Sequence, residues 1–318
     1  MKALGNHLTT LIAGAGKAIF GLGGLQVSRL PRQRRESGGF NIGPYSLACH
    51  KGSILPEVYG SNQRWGTELG RLARAVAEIW PCAWCIDVGA NVGDTAAVIR
   101  CHTEIPVLCI EGDPIVYRYL ERNVKQLGGV ETLAAYLDAM PGEISVEVHQ
   151  RGWNATLAPA WGPGAETIAT ATLDDILDSG PTGRSYKLLK IDAEGFDWRV
   201  MRGAMRSLEE HRPVISFEYN PQLLLNVGGE PDPEGLLDWL RDLGYTSAVV
   251  YDSEGGYLAH ANQQSWQTLR DLFNYLETDR HFIFYYNVCA FPSSEAAFAE
   301  RFAEAEFSCS RPGRGGVR

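Results

Sequence analysis

The chain is predicted to fold as an open α/β protein built around a doubly wound, mostly parallel sheet. Three observations predict this. From about residue 67 onward, segments of helical periodicity alternate with short apolar runs of strand length. One run, "WCIDVGA", ends in an acid and opens on a glycine loop that leads into a helix. About twenty residues later "PVLCIEGDP" closes another run in an acid, Glu111, where such sheets accept ribose hydroxyl protons.

Composition sets the frame for these elements. With 318 residues, 45% of them hydrophobic, the chain can bury one large domain and carry additions. The formal net charge is −9, yet the first 35 residues hold Lys2, Lys17, Arg29, Arg32, Arg34 and Arg35 and no acid. The body is therefore acidic and the leader basic. An acidic body repels phosphates, so no nucleic-acid partner is expected. The seven cysteines are odd in number and lie largely in apolar runs, which fits a reducing, cytoplasmic setting. Cys82 and Cys85 have CxxC spacing but precede a strand rather than open a helix, so packed thiols are expected.

The leader, residues 1 to 35, is apolar and glycine-rich and then polybasic. Lys17 interrupts its apolar run below the ~20 residues a spanning helix needs. An interfacial anchor giving peripheral membrane contact is one expectation, and a docking or unstructured arm the other. Residues 36–66 form an N-terminal extension, 67–292 the main domain, and 293–318 a C-terminal helix with a frayed tail.

Within the domain, "TELGRLARAVAEIW" places Leu69, Leu72, Ala73, Val76 and Ile79 on one helical face. The first strand, "WCIDVGA", follows. The second ends at Glu111, after which Asp113 caps a helix with Pro114 at its first position. "VETLAAYLD" is the third strand, ending at Asp138. "EISVEVHQ" alternates apolar and polar residues and reads as an inserted antiparallel strand. "RGWNATLAPAWGPG" reads as a loop over a site. Thr172 and Asp175 have capping-box spacing, so a short helix starts there. "YKLLKID" and "PVISFEYN" are strands four and five, with the helix "WRVMRGAMRSL" following the former. "DPEGLLDWLRDLG" is a helix capped by Asp232, and "YTSAVVYD" and "HFIFYYNVCAF" supply the last strands.

The loop Gly89 to Gly93 supplies tight turns, close backbone approach and a helix N-terminus, so a nucleotide-like group is expected there. Its spacing is not that of a dinucleotide fingerprint, because Asn91 stands where a second glycine would be. A nicotinamide oxidoreductase is therefore disfavoured. Glu111 is placed for a ribose and Asp138 for an adenine amino group.

Together "IDVGANVGD", "CIEGDP", "AAYLDAMPGEISV", "TATLDDIL", "LLKIDAEGFDWRVMRGA" and "RPVISFEYN", in this order, resemble the FkbM family of S-adenosylmethionine-dependent methyltransferases. The resemblance spans roughly residues 83 to 291. It implies a class I methyltransferase fold, Rossmann-like, with seven strands and the last antiparallel, and methylation of a hydroxyl on a sugar, glycolipid or secondary metabolite. It also implies that Asp87, Gly89, Asn91 and Gly93 line the methionine end of the cofactor, that Glu111 holds its ribose, and that Asp138 sits by its adenine. Two positions depart from the family pattern: Gly112 stands where proline is common, and Phe196 displaces a second acid to Asp197.

Ligands in open α/β sheets sit beyond the carboxyl ends of the strands where strand order reverses. Asp192, ending strand four, should face the methyl group there. An alcohol is a poor nucleophile until its proton is removed, and carboxylates become better bases when buried among like charges. Asp192 is thus the expected base or orienting acceptor. Glu194 would assist it or hold the cofactor's ammonium, with Glu218 as a further catalytic acid and Asp197 capping its own helix. Lys190 would neutralise part of the cluster or snorkel from the strand. His149, Trp153, Tyr219 and Asn220 are candidate substrate contacts. A divalent metal held by Asp192, Glu218 and Asn220 is a minority alternative. The acceptor is expected to be a small molecule or glycan. "EYNP" resembles part of a nucleobase N-methylation motif but lacks its second proline and aromatic. A non-catalytic protein recruiting partners to a membrane is the rival of a different class.

Overall fold

Three elements precede the expected helix. Strands β1 (Ser37–Ile42) and β2 (Tyr45–His50) form an antiparallel hairpin, followed by a short helix, α1 (Leu55–Ser61). The computed structural model describes residues 37–62, 64–151, 154–160, 165–180, 183–227, 233–278 and 283–310. The leader, the capping role of Asp232 and the frayed tail lie outside them. Among the described residues no helix is long and apolar enough to cross a membrane.

The expected helix is α2 (Thr67–Ile79), with Leu72, Ala73 and Val76 fully buried. Ile79 departs from the predicted face: at the helix end it is 38% exposed. The first strand is β3 (Ala83–Val88), then α3 (Asp94–His102), β4 (Val107–Glu111) and α4 (Pro114–Asn123). Asp113 caps α4 as expected, its Oδ1 accepting from Ile115 N at 2.6 Å and Val116 N at 3.0 Å. Asn123 ties the N-terminal hairpin to the domain. Its buried amide donates to Ala48 O and Val92 O, both at 2.8 Å, and accepts from Ala48 N at 2.9 Å.

The third strand is shorter than its sequence pattern suggests. β5 (Val130–Ala134) pairs with β4, but the chain then leaves this sheet. β6 (Tyr136–Leu137) joins a second, four-stranded sheet with β7 (Gly142–Arg151), β8 (Asn154–Pro159) and β9 (Glu166–Ala171), in the order β6-β9-β7-β8. The inserted antiparallel strand is thus present as β7. The stretch read as a loop contains a strand, β8, whose partner β7 supplies the hydrogen bonds a lone segment would lack.

Next come α5 (Leu173–Ser179), capped by Thr172 Oγ1 accepting from Asp175 N at 3.0 Å, and β10 (Ser185–Ile191). The helix expected after β10 is broken into α6 (Asp197–Arg202) and α7 (Met205–His211). Gly203 lies at the break because a Cβ there would overlap the Asp138 carbonyl. Asp174 supplies the cap for the new start, accepting from Arg206 N at 3.0 Å and Ser207 N at 2.9 Å.

β11 (Val214–Tyr219), α8 (Pro221–Asn226), α9 (Pro233–Asp242), β12 (Tyr245–Tyr251), β13 (Tyr257–Ala261), α10 (Trp266–Leu276), β14 (Tyr286–Pro292) and α11 (Ala296–Ser310) complete the chain. The main sheet has the order β13-β12-β14-β11-β10-β3-β4-β5. β14 runs antiparallel to both of its neighbours, β11 and β12. Without β13, an antiparallel edge strand absent from the sequence reading, this is the seven-stranded class I methyltransferase order. Apolar clusters cover both faces: one includes residues of α2, α3, α11 and the hairpin, the other of α5 to α10. Full burial of a side chain such as Leu72 or Leu237 contributes about 1.5–3 kcal/mol. Strand order reverses between β3 and β10, which opens a crevice at their carboxyl ends.

Candidate active site

Residues following β3 and β10 meet at the crevice. Gly89 has φ +70°, and a Cβ on it would overlap the carbonyl of Asp192, so the two loops touch through bare backbone. Asp192 N donates to Val88 O at 3.1 Å and locks the approach. Asn91 also adopts a left-handed conformation, φ +48°, which asparagine tolerates.

A cleft of about 770 Å³, counting its open mouth, runs from this contact along the ends of β3 and β4. Gly89, Asn91, Glu111, Asp192 and Glu194 line it, with Tyr136, Leu137 and Ile144 of the smaller sheet opposite. Its size lies within the range of small-molecule sites. The Glu111 carboxylate accepts from Asn91 N at 2.9 Å and Asp113 N at 2.8 Å. Each oxygen keeps a free lone pair for a ligand hydroxyl. Burial, partly offset by those two donors, pushes its pKa up to about 7. The open glycine cradle beside a half-buried carboxylate fits an adenosyl group: Gly89 and Asn91 would accommodate its methionine end and Glu111 its ribose.

A second cavity, of about 710 Å³, lies beyond Asp192. Tyr59, Glu68, Asp94, Lys190, Glu218 and Tyr285 are among its walls, and Asp192 borders both spaces. Lys190 forms part of the wall between Asp87 and Asp192. Its Nζ lies 3.0 Å from Asp87 Oδ1 and 3.6 Å from Asp192 Oδ2, and donates to Gly89 O at 3.0 Å. Burial works against its charge, but Asp87 and Asp192 together outweigh that and raise its pKa. The side chain is 9% exposed, so it neutralises the cluster rather than snorkelling.

Three carboxylates after β10 have three different settings. Asp192 is 45% exposed at the junction of the cavities. Glu194 lines the first cleft in a left-handed conformation, φ +52°. Asp197 is buried, and its Oδ2 accepts from Ala193 N at 3.3 Å and Gly195 N at 3.2 Å. It caps the loop before its helix, not the helix itself. Burial and then Asp192 push its pKa to about 7. Glu218 is raised well above the carboxylate range, by burial first and then by Asp192, Asp197 and Glu194.

Several expected positions differ. Asp87 is completely buried beneath Lys190 and lines neither cavity. Gly93 lines neither, and its backbone starts α3 at φ +87°. Asp138 is turned away from the cleft, because the chain has switched sheets before it. Arg199 Nε and Nη2 each donate to its carboxylate at 2.6 Å. Tyr219 is fully buried and stacked on Phe273, with ring centroids 3.5 Å apart, so it presents no face to an acceptor. Asn220 directs its amide nitrogen at Glu218 Oε1, 3.2 Å away, and its oxygen caps Leu223 N at 3.3 Å. That leaves its oxygen poorly available to a metal. Among the described residues no group of three or more His, Cys, Asp or Glu side chains is arranged to hold one. His149 lies on β7 of the smaller sheet, and Trp153 falls outside the described residues.

Sequence reasoning missed Tyr59, Glu68, Asp94 and Tyr285. Asp94 follows the glycine loop directly and could have been suspected, whereas Glu68 looks like an ordinary first-turn acid.

The family model described as the methyltransferase FkbM domain matches residues 87–247. No curated protein matches the chain. Among solved structures, a methyltransferase FkbM from Methylobacillus flagellatus KT is 18% identical with a TM-score of 0.35, covering 51% of this chain. This chain covers 36% of that one and so spans about a third of its length. A precorrin-6Y C5,15-methyltransferase from Geobacter metallireducens GS-15 is 12% identical, over 71% of this chain and 88% of that one, with a TM-score of 0.37. TYW2 of M. jannaschii, solved with AdoMet, is 12% identical over 81% and 86% of the two chains, with a TM-score of 0.37. Likeness at that level carries no argument about substrate. The family match spans just over half of the 318 residues and contains Gly89, Glu111, Asp192 and Glu218. The chain belongs to the FkbM family of S-adenosylmethionine-dependent methyltransferases.

Proposed function

We propose that the enzyme is an O-methyltransferase acting on a hydroxyl of a small molecule or glycan. The observation that carries this reading is the position of Asp192, which borders both the cofactor cleft and the second cavity. An acceptor in the second cavity would meet a carboxylate at the boundary with the methyl donor.

Bound S-adenosylmethionine supplies an electrophilic methyl group. Gly89 and Asn91 would seat its methionine end, Glu111 its ribose, and Glu194 its ammonium group. Asp192 accepts a hydrogen bond from the acceptor hydroxyl and fixes its direction. Glu218, with its raised pKa, is the better matched proton acceptor as the oxygen attacks. Lys190 holds Asp192 in place through its contacts with Asp87 and Gly89. A positioned base is worth roughly 10²- to 10⁴-fold in rate.

The test uses labelled S-adenosylmethionine and cell extract. Asp192→Asn should retain stabilisation by S-adenosylhomocysteine and lose transfer by at least about 100-fold. Unchanged turnover would remove Asp192 from the mechanism. Activity that disappears on EDTA treatment and returns with Mg²⁺ would favour the metal-assisted route through Asp192 and Glu218. We assign the acidic body to the cytoplasm, with the basic leader as its peripheral membrane contact. Loss of no membrane association on deleting residues 1–35 would refute the second assignment.

A further inference from the structure

The second cavity has a charge that the methyl-transfer reading does not require. Glu68, Asp94, Asp192 and Glu218 all border it, and Lys190 is the single basic group among its described lining residues. That lysine is already engaged by Asp87 at 3.0 Å and Gly89 O at 3.0 Å. Arg71, one helical turn from Glu68, is held at both Nε and Nη2 by Glu306, each bond 2.6 Å long.

Two of these carboxylates are incompletely satisfied. Glu68 and Asp94 are 6% and 8% exposed. Glu68 Oε1 accepts one long bond, 3.4 Å, from Asn287, and Asp94 Oδ2 accepts from the Tyr59 hydroxyl at 2.9 Å. Their other oxygens, Glu68 Oε2 and Asp94 Oδ1, are buried with no hydrogen-bond partner among the described residues. A buried acceptor left unpaired is destabilising unless a ligand supplies the donor. An anionic acceptor would be repelled by this wall. A neutral sugar could supply donors but no charge. An ammonium group supplies three donors and the opposite charge together.

We propose that the methyl acceptor is a cationic hydroxy-amine of amino-sugar type, its ammonium held against Glu68 and Asp94 while its hydroxyl meets Asp192. This rests on the O-methyltransferase reading above. Burial already pushes Glu68 to about 7 and Asp94 to about 6, so each would hold its proton more readily before the cation arrives and release it on binding.

The experiment incubates full-length protein with methyl-labelled S-adenosylmethionine and cell extract, then separates products by ion exchange at mildly acidic pH. Label should be retained on the cation exchanger in a species that differs in mass from S-adenosylmethionine, which is itself cationic and is resolved from the product first. Glu68→Gln and, as a second variant, Asp94→Asn should each reduce that label by roughly 30-fold or more. Stabilisation of each variant by S-adenosylhomocysteine should match the wild type, which shows that fold and cofactor site are intact. Label in the neutral or anionic fraction, or full labelling by both variants, would overturn the proposal. So would weakened S-adenosylhomocysteine binding in the variants, because the carboxylates would then serve the cofactor's own ammonium. A wild type that S-adenosylhomocysteine stabilises but that labels no retained product refutes the amine alone. A wild type that S-adenosylhomocysteine fails to stabilise refutes both readings.

Discussion

Replacing Arg199 by alanine tests whether Asp138 is structural or binds the cofactor. In the fold, Asp138 has a 4% exposed side chain and receives both bonds from Arg199, itself 29% exposed, and a further bond from Ala139 N at 2.6 Å. Removing the guanidinium leaves one backbone donor for a buried carboxylate. Breaking a fully buried pair costs about 3–5 kcal/mol. Because Arg199 is partly open to water, the lower side applies, about 2–3 kcal/mol. For a domain of this size that is a fall in melting temperature of about 4–6 °C. Urea unfolding should show the loss at an unchanged m-value, and the double variant Arg199→Ala with Asp138→Ala should recover part of it. S-adenosylhomocysteine affinity at a temperature where all variants are folded should stay within about twofold of the wild type. The reasoning fails if Asp138→Asn leaves stability intact and weakens S-adenosylhomocysteine tenfold, the pattern of a direct adenine contact.

Glu68, Asp94 and Glu111 are raised by burial to about 7, 6 and 7, so the folded protein binds protons that the unfolded chain has released. Their contribution is fully present below the ordinary carboxylate range and is lost as pH rises through about 7. Melting temperatures between about pH 5 and pH 8 should therefore fall, and Glu111→Gln should flatten the slope while weakening S-adenosylhomocysteine; an unchanged slope would count against its burial. Gly203→Ala should cost about 1–3 kcal/mol, read by chemical denaturation, because its Cβ meets the Asp138 carbonyl. If Glu218 accepts the proton, turnover should rise with pH through a pKa above the ordinary carboxylate range, and Glu218→Gln should abolish that limb. A limb retained in Glu218→Gln would pass the role to another group.

The strand order and the cofactor loop were legible because their signals are local. An acid, a glycine and a helix start within a few residues suffice to place Gly89, Asn91 and Glu111. Asp138 was not, since its partner lies 61 residues away and the chain changes sheets at Ala135, just before it. Its strand-like sequence gives no hint of that departure. Tyr219 could have been set aside from sequence alone. It neighbours Glu218 in a strand, so the two side chains point to opposite faces, and both cannot reach one acceptor. The broken helix after Asp197 was hidden because Gly203 is read in context only once Asp138 is known to press against it. Glu68 was the hardest to find: a first-turn acid on an amphipathic helix is normally solvated, and here the elements packed beside α2 bury it.

Half of the residues that line the second cavity come from outside the stretch that defines the family. Tyr59 and Glu68 precede residue 87, while Ser253, Gly255, Tyr285 and Asn287 follow residue 247. The proposed acceptor wall is therefore divided: Asp94, Lys190, Asp192 and Glu218 belong to the family stretch, whereas Tyr59, Glu68 and Tyr285 come from its flanks. On the proposed reading, mutation in the two flanks should shift acceptor preference and spare cofactor binding, whereas grafting the flanks onto another family member would carry only half of the wall.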